Sequence, residues 1–397
     1  MQVFHADTVP HIQAAIAAAI DENSPLEIRA GGSKHALGRP TTAHRLNISG
    51  LSGIVDYDPD ELILIVRPAT TLTEITSLLA TRRQMLAFEP PAWHTLFTTN
   101  AAPTIGGTVA ANLAGPRRIR AGSVRDHLLG FAAVNGRAEP WRGGGRVVKN
   151  VSGYDMSKLH CGAFGTLSVL TELCLRVVPA PPTTATLLIG AETPEAASKI
   201  FAQSLNFPQE VSAAAALPAA IAARAGLTPS APLTVLLRLE GPAQSVADRA
   251  ATLRRHFHVT GELGADVSAA TWHAIAAVSP LLPDPSAIIW RLCPEPAHAP
   301  ALLAALGPLA EHAYLDWGGG LIWIALPTPG PDAGAATIRA ALGAHGHATL
   351  IRAPNPLRAS VPVFQPLAPP LAALTARIRA AFDPALILNR GRLLPEA

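Results

Sequence analysis

The chain has 397 residues, of which 49% are hydrophobic and 15% charged, and it carries a formal net charge of +3. That length accommodates two domains with substantial cores, and so weak and dispersed a positive charge excludes nucleic acid as an expected partner. Three widely spaced cysteines, Cys161, Cys174 and Cys293, exclude a Cys-ligated iron–sulfur cluster, a structural zinc site or a disulfide framework built from this chain alone.

The start, Met1-Gln2-Val3-Phe4-His5, lacks the basic residues and apolar run of a signal peptide. The most apolar windows, near 213–223 and 299–310, contain proline and fall short of the roughly 20 residues of a bilayer span. The expectation is a cytoplasmic chain.

Thr8, Pro10 and an alanine-rich run to Ile20 predict a capped helix. Residues 26–30 alternate like a strand and lead into Gly31-Gly32-Ser33-Lys34. Strands follow at 53–57 and 61–67, joined by Asp58-Pro59-Asp60. Thr71-Leu72-Thr73-Glu74 is a capping box opening a helix to about residue 83. A strand at 128–134 runs into a hairpin turn at Asn135-Gly136, and 169–178 reads as a buried strand. Pro179-Ala180-Pro181-Pro182 marks a domain boundary. Beyond it, strands at 186–189, 233–239, 287–293 and 321–326 each lead to a helix: at Thr193-Pro194 and over 244–257, 300–309 and 332–342. This pattern predicts an α+β or α/β layer domain with a loose internal duplication but no residue-level repeat. A strand at 348–352, a proline-rich link, a helix at 368–382 and the tail Asn389-Arg390-Gly391-Arg392 close the chain.

Residues with chemical potential concentrate between 29 and 178. Gly31-Gly32-Ser33-Lys34, at a strand end, offers N–H groups and a hydroxyl to phosphate oxygens, or is an ordinary strand-to-loop turn. It is neither a Walker A loop nor a GxGxxG fingerprint. Thr104-Ile105-Gly106-Gly107, followed by small residues through Ala110 and Asn112, reads as a loop-to-helix junction whose N–H groups face negative charge, or as a helix packed closely on a strand. Arg117, Arg118 and Arg125 either face phosphates or solvate the surface; Asp126 accepts from a ribose or from the protein. In Asn150-Val151-Ser152-Gly153-Tyr154-Asp155, Lys149 and Tyr154 suit a flavin or a substrate carboxylate, whereas Asp155 equally suits a helix cap. His345-Gly346-His347 lacks a third ligand nearby and reads as a surface pair, so no metal is expected.

Taken together, Arg29…Gly31…Ser33-Lys34…Leu37-Gly38-Arg39, Glu89-Pro90-Pro91, Thr104-Ile105-Gly106-Gly107, Gly115-Pro116-Arg117-Arg118, Gly122-Ser123-Val124-Arg125-Asp126, Val148 to Asp155, Phe164-Gly165-Thr166-Leu167 and Phe382-Asp383-Pro384…Asn389-Arg390-Gly391-Arg392 resemble the vanillyl-alcohol oxidase-type (PCMH-type) FAD-binding family. Within it they most resemble the FAD-binding subunits of glycolate oxidases. Arg390 departs from that pattern, which has proline there. The resemblance is dense over 26–178 and sparse over 180–355.

The resemblance implies an α+β fold: a two-lobed PCMH-type FAD-binding domain (1–179), a smaller α+β cap domain (180–358) and a C-terminal segment (359–397) returning to the first. It implies FAD contacts from Ala30, Gly31, Gly32, Ser33, Lys34, Pro68, Pro91, Thr104, Ile105, Gly106, Gly107, Ala110, Asn112, Gly115, Arg118, Gly122, Asp126, Gly165 and Val169. Lys149, Tyr154 and Asn389 fall on the flavin-ring or substrate side. Ser33 stands where some members carry a flavin-tethering histidine, so FAD is expected to be non-covalent. The substrate implied is a small 2-hydroxy acid. The partners implied are a second, catalytic flavoprotein subunit and an iron–sulfur subunit, in a complex that could dock at the inner membrane. Two alternatives stay open: a self-sufficient dehydrogenase using Arg352, Lys149 or Tyr154 for the substrate carboxylate, and a non-catalytic scaffold subunit. No residue is singled out as the catalytic base.

Overall fold

The structure is a computed structural model describing residues 1–146, 153–327 and 330–394. The first lobe is a parallel sheet of order β1-β3-β2, formed by β1 (Val3–His5), β2 (Leu26–Arg29) and β3 (His44–Asn47). Helix α1 (Val9–Asp21) starts where Thr8 accepts a hydrogen bond from the His11 N–H at 3.4 Å, as its capping signal predicts. Its apolar stripe, Ile12, Ala15, Ile16 and Ala19, lies on Leu26 and Leu46 of the sheet. Residues from the far end of the chain complete this lobe. The Leu26 N–H donates to the Ile387 carbonyl (2.7 Å), and the Asn389 N–H donates to the Leu26 carbonyl (2.9 Å).

The second lobe contains β4 (Ile54–Asp58), β5 (Ile63–Val66), α2 (Leu72–Thr81), β6 (Gln84–Met85), α3 (Ile105–Ala110), α4 (Arg118–Ala121), β7 (Leu128–Asn135), β8 (Pro140–Gly144), α5 (Met156–His160), β9 (Ser168–Arg176) and β10 (Val178–Pro179). Five of these strands form an antiparallel sheet of order β4-β5-β9-β7-β8. Phe131, Leu170, Leu173 and Leu175 pack with Ile75 and Leu79 of α2 and Ile105 and Val109 of α3. Val134 and Val169, on the other face, enter the core shared with the first lobe.

After β10 come β11 (Thr183–Ala191), α6 (Pro194–Asn206), β12 (Ala213–Pro218), α7 (Ala219–Arg224), β13 (Leu233–Gly241), α8 (Ala243–His256), β14 (Val259–Leu263), α9 (Ala265–Ala276), β15 (Ile288–Pro294), α10 (Ala299–Leu306), β16 (Ala313–Asp316), β17 (Leu321–Leu326), α11 (Ala335–Leu342) and β18 (Gly346–Arg352). Their strands make one antiparallel sheet of order β14-β11-β13-β12-β16-β17-β15-β18. Each half is a βαββαβ unit of the ferredoxin-like kind. The units join second strand to second strand through the single register pair Ala216↔Leu315. The expected duplication therefore exists as topology.

One sheet face, with Leu187, Ile189, Leu237, Trp290, Leu292 and Ile324, packs beneath helices through residues such as Phe201, Leu253, Leu302 and Ile338. The other, with Leu188, Leu236, Ile289 and Trp323, meets Trp93, Leu96 and Leu113 of the lobes and Trp272 and Ile275 of α9. Helix α9 covers the first half: Trp272 Nε1 donates to Thr186 Oγ1 on β11 at 2.8 Å. The chain closes with α12 (Asn355–Ser360) and α13 (Pro369–Phe382).

Lobes and cap are joined by buried charge. Arg238 on β13 grips Glu89 through two hydrogen bonds of 2.7 and 3.0 Å, with its guanidinium 4.9 Å from the centroid of the Trp272 ring. Arg117 pairs with Glu240 at 2.5 Å, while its backbone N–H donates to Glu89 at 3.0 Å.

Candidate cofactor cleft

A cleft with about 830 Å³ of atom-free space opens between the lobes. The end of β2 and its following loop form one wall through Glu27, Ile28, Arg29, Ala30, Gly31, Gly32, Ser33, Lys34, His35 and Leu37. The start of α3 forms another through Thr104, Gly106, Gly107, Ala110 and Ala111; Ile48, Pro68, Phe164, Gly165, Leu170, Asn389 and Arg392 complete it. The two glycine loops thus meet at one place.

Their glycines do different jobs. A Cβ on Gly31 would lie 2.3 Å from the Ala102 carbonyl, so this glycine lets the loops touch. A Cβ on Gly106 would lie 2.6 Å from Pro68 Cβ, and its N–H donates to the Pro68 carbonyl at 2.8 Å. The Ile105 N–H likewise goes to the Thr70 carbonyl at 3.0 Å. These two N–H groups, expected to face an anion, are already spent inside the lobe. Gly107 differs: the nearest atoms to its Cβ position are Thr104 Oγ1 at 3.5 Å and Lys34 Cδ and Nζ at 3.9 Å, so its open side faces Lys34.

The cleft is electropositive. Arg29 and Arg392 share a single carboxylate, Glu27, each at 2.7 Å. Burial raises the Glu27 pKa, but hydrogen bonds and charge from the two arginines outweigh it and hold the carboxyl below its ordinary range. Lys34 reaches only Ser33 Oγ, at 3.4 Å, and has no ion pair with a described residue. Desolvation lowers its pKa to about 8. A withdrawn, unpaired ammonium beside small glycine-lined walls fits a pyrophosphate. Ile28, Leu37, Ile48, Phe164 and Leu170 offer the apolar surface that flat rings need.

The C-terminal segment braces this arrangement. Arg392 donates to the carbonyls of His35 (2.7 Å) and Leu37 (3.1 Å), and Arg358 to those of Ala36 and Gly38. Asn389 spans the cleft floor, accepting from the Ile28 N–H at 3.0 Å and donating to the Phe164 carbonyl at 2.7 Å. Asp383 accepts from the N–H groups of Ile387 and Leu388 and so shapes the turn that delivers Asn389.

Several of the expected residues do not line this cleft. Ile105 is core, and Val169 sits in the core shared by both lobes. Pro91 is buried outside the cleft. Gly115 admits the Glu89 carbonyl, which would be 2.5 Å from a Cβ, and Gly122 has φ 80° with Asp126 beside it. Asp126 accepts from the Ser123 N–H and hydroxyl, so its partner is the protein. Asn112 accepts from the Arg125 N–H and from Cys161. Arg117 is bound to Glu240, and Arg118 lies over Trp317.

Tyr154 is 89% exposed, and Asp155 caps α5 by accepting from the Lys158 N–H, the blander of its two readings. Lys149 lies outside the described residues. Arg352 gives one N–H from each of its three nitrogens to the carbonyls of Ala287, Leu96 and Asp284, and it does not line the cleft. Among the described residues no group of three metal-ligating side chains occurs, and no helix is long and apolar enough to cross a membrane. Sequence reasoning missed the walls at Glu27, Ile28, Ile48, Ala111 and Leu170. Their signal was only their place in a strand or helix, with nothing to mark the side facing the cleft.

A family profile described as an FAD binding domain matches residues 2–143. The chain is 33% identical over 379 residues to glycolate oxidase subunit GlcE of Escherichia coli (strain K12), covering 95% of each. The chain belongs to this PCMH-type family of FAD-binding oxidoreductases. A match at 29% over 209 residues to glycolate oxidase subunit GlcD of Bacillus subtilis (strain 168) covers 49% of this chain and 42% of that protein. The fold is shared with a solved p-cresol methylhydroxylase, at TM-score 0.73 and 14% identity over 99% of this chain and 88% of that one. As a member of the family, the chain is a flavoprotein with FAD as its cofactor, and the cleft's charge and shape fit that molecule.

Proposed function

We propose that the chain is the FAD-binding subunit of a glycolate oxidase-like complex, which oxidises a small 2-hydroxy acid, glycolate or D-lactate, to the 2-oxo acid. Electrons leave through partner subunits, a second flavoprotein and an iron–sulfur protein. Residues 1–179 form the FAD-binding domain, 180–358 the cap and 359–397 the returning segment. The observation that carries the reading is the unpaired Lys34 between two glycine loops, in a chain that aligns with GlcE over 95% of its length. Support for partners comes from the names of the GlcE and GlcD relatives, each a subunit of glycolate oxidase.

FAD, when bound, supplies a two-electron acceptor. The chain's residues bind and orient: Lys34 neutralises the pyrophosphate, and Arg392 and Arg358 hold the loop that carries it. Non-covalent attachment is supported by Ser33, buried at the position where a tether would stand. His35 is exposed, with Nδ1 3.3 Å from the Gly32 carbonyl. The deciding experiment is the visible spectrum of the purified chain, followed by acid precipitation. Flavin released to the supernatant is the expected result, and a colourless protein would sink the reading. Co-purification of an iron–sulfur protein and a second flavoprotein tests the complex.

A further inference from the structure

We propose that Arg118 and Arg291 form a seat for the carboxylate of a small 2-hydroxy acid, at the seam between the FAD-binding lobes and the half of the cap sheet that α9 leaves open. Arg118, on α4, places its guanidinium 4.6 Å from the centroid of the Trp317 ring; Arg291, on β15, reaches the same ring at 5.0 Å. Among the described residues neither guanidinium has a hydrogen bond or ion pair. By contrast, Arg29, Arg117, Arg238, Arg352, Arg358 and Arg392 are all engaged by carboxylates or carbonyls. Two cations drawn to one indole repel each other. Burial and the Arg291 charge together lower the Arg118 pKa, so the pair gains from a shared anion.

The platform beneath them is fixed from both ends. Trp317 adopts φ 53°, a left-handed conformation unfavourable for a bulky side chain, and Gly318 and Gly319 follow at φ 62° and 96°. Its backbone N–H donates to Asp316 Oδ1 at 2.7 Å, and its indole N–H donates to the Gly115 carbonyl at 3.1 Å. Backbone strain held on both sides keeps the ring where both guanidiniums can lie on it. Cys293, two residues along β15 on the face of Arg291 and opposite His347 in register, borders the seat. Burial raises its thiol pKa, but Arg291, His347 and Arg118 outweigh that and lower it, a further sign of positive potential there.

Guanidinium forks match a planar carboxylate and leave the rest of a small acid free. The choice of a 2-hydroxy acid rests on the function proposed above. The seat itself rests on the two arginines.

The test uses the full-length, FAD-loaded chain. Iodoacetamide modification of Cys293 is followed by peptide mass while glycolate, D-lactate or inorganic phosphate is titrated. Saturable protection by glycolate or D-lactate is expected, with phosphate at least tenfold weaker. In Arg291→Gln the protection midpoint should rise tenfold or more at an unchanged FAD-to-protein ratio, and Arg291→Lys should recover part of it. No saturable protection in the unmodified chain, equal protection by phosphate, or an Arg291→Gln midpoint within twofold of the unmodified chain would overturn the seat. A chain lacking FAD defeats the proposed function, whereas the protection assay still decides the seat.

Discussion

A Cβ on Gly106 would press on the Pro68 backbone, whereas one on Gly107 would have ordinary room and point toward Lys34. The two substitutions should therefore fail differently. Gly107→Val is expected to lose its flavin absorbance and to melt where the unmodified chain stripped of flavin melts; Gly106→Val should lose soluble protein. Lys34→Met removes a charge-assisted contact worth about 1.5–3 kcal/mol, so FAD affinity should fall about ten- to a hundredfold by fluorescence titration. Its pKa of about 8 adds a pH signature. A bound pyrophosphate raises that pKa again, so above pH 8 binding takes up a proton, and affinity declines by up to about tenfold per pH unit. Lys34→Met should show no such decline. Among the thiols, burial pushes Cys161 up to about 12 and Cys174 to about 11, while Cys293 is lowered. Iodoacetamide at neutral pH should label Cys293 alone in the native chain, as read by peptide mass.

At the scale of elements, the join between β13 and the 89–117 region depends on charges removed from water. Glu89→Gln removes the carboxylate that takes both short Arg238 hydrogen bonds, leaves the buried arginine only Glu240 at 3.8 Å, and should destabilise the protein by about 3 kcal/mol in urea unfolding. Asp316, at the end of β16, is raised to about 7, chiefly by burial. Between about pH 4, where a free Asp titrates, and pH 7, the folded state holds a proton that the unfolded state has lost. Stability contributed by this group thus falls as pH rises through that window and is level above it. Asp316→Asn should flatten the slope in urea titrations run across those pH values.

Elements with end signals were legible: Thr8, Thr71 and Thr193 each cap the helix they announce. Strand β12 was not, because Ala213–Ala216 is buried on both faces and shows no alternation. The strand–helix rhythm left the sheet's direction open, and pairing across βαββαβ units made it antiparallel. Arg117 could be recognised as important but not assigned, since its partner Glu240 lies 123 residues away. Gly115 and Gly122 resembled ligand-facing glycines because close approach of protein and of cofactor demand the same missing Cβ.

Across the whole molecule, the last residues act on the first. Asn389, Arg392 and Asp383 join the C-terminal turn to β2, the 35–38 loop and Phe164. Deleting residues 383–397 should abolish flavin retention while the cap sheet persists, which flavin absorbance and circular dichroism would separate; retained flavin would refute that coupling. The paired βαββαβ units carry a different implication, one about division of labour. Two units of one topology offer two equivalent faces, and α9 closes one of them with Trp272. The corresponding face of the sister half is covered instead by the lobes, with Trp93 and Leu96 packed on Ile289 and Trp323. Its strands therefore turn Arg291, Cys293 and Thr349 toward the lobes, where a changed side chain alters the seam rather than the packing beneath α9. The two units thus do unequal work: one closes on its own helix, the other on the lobes that hold the cofactor.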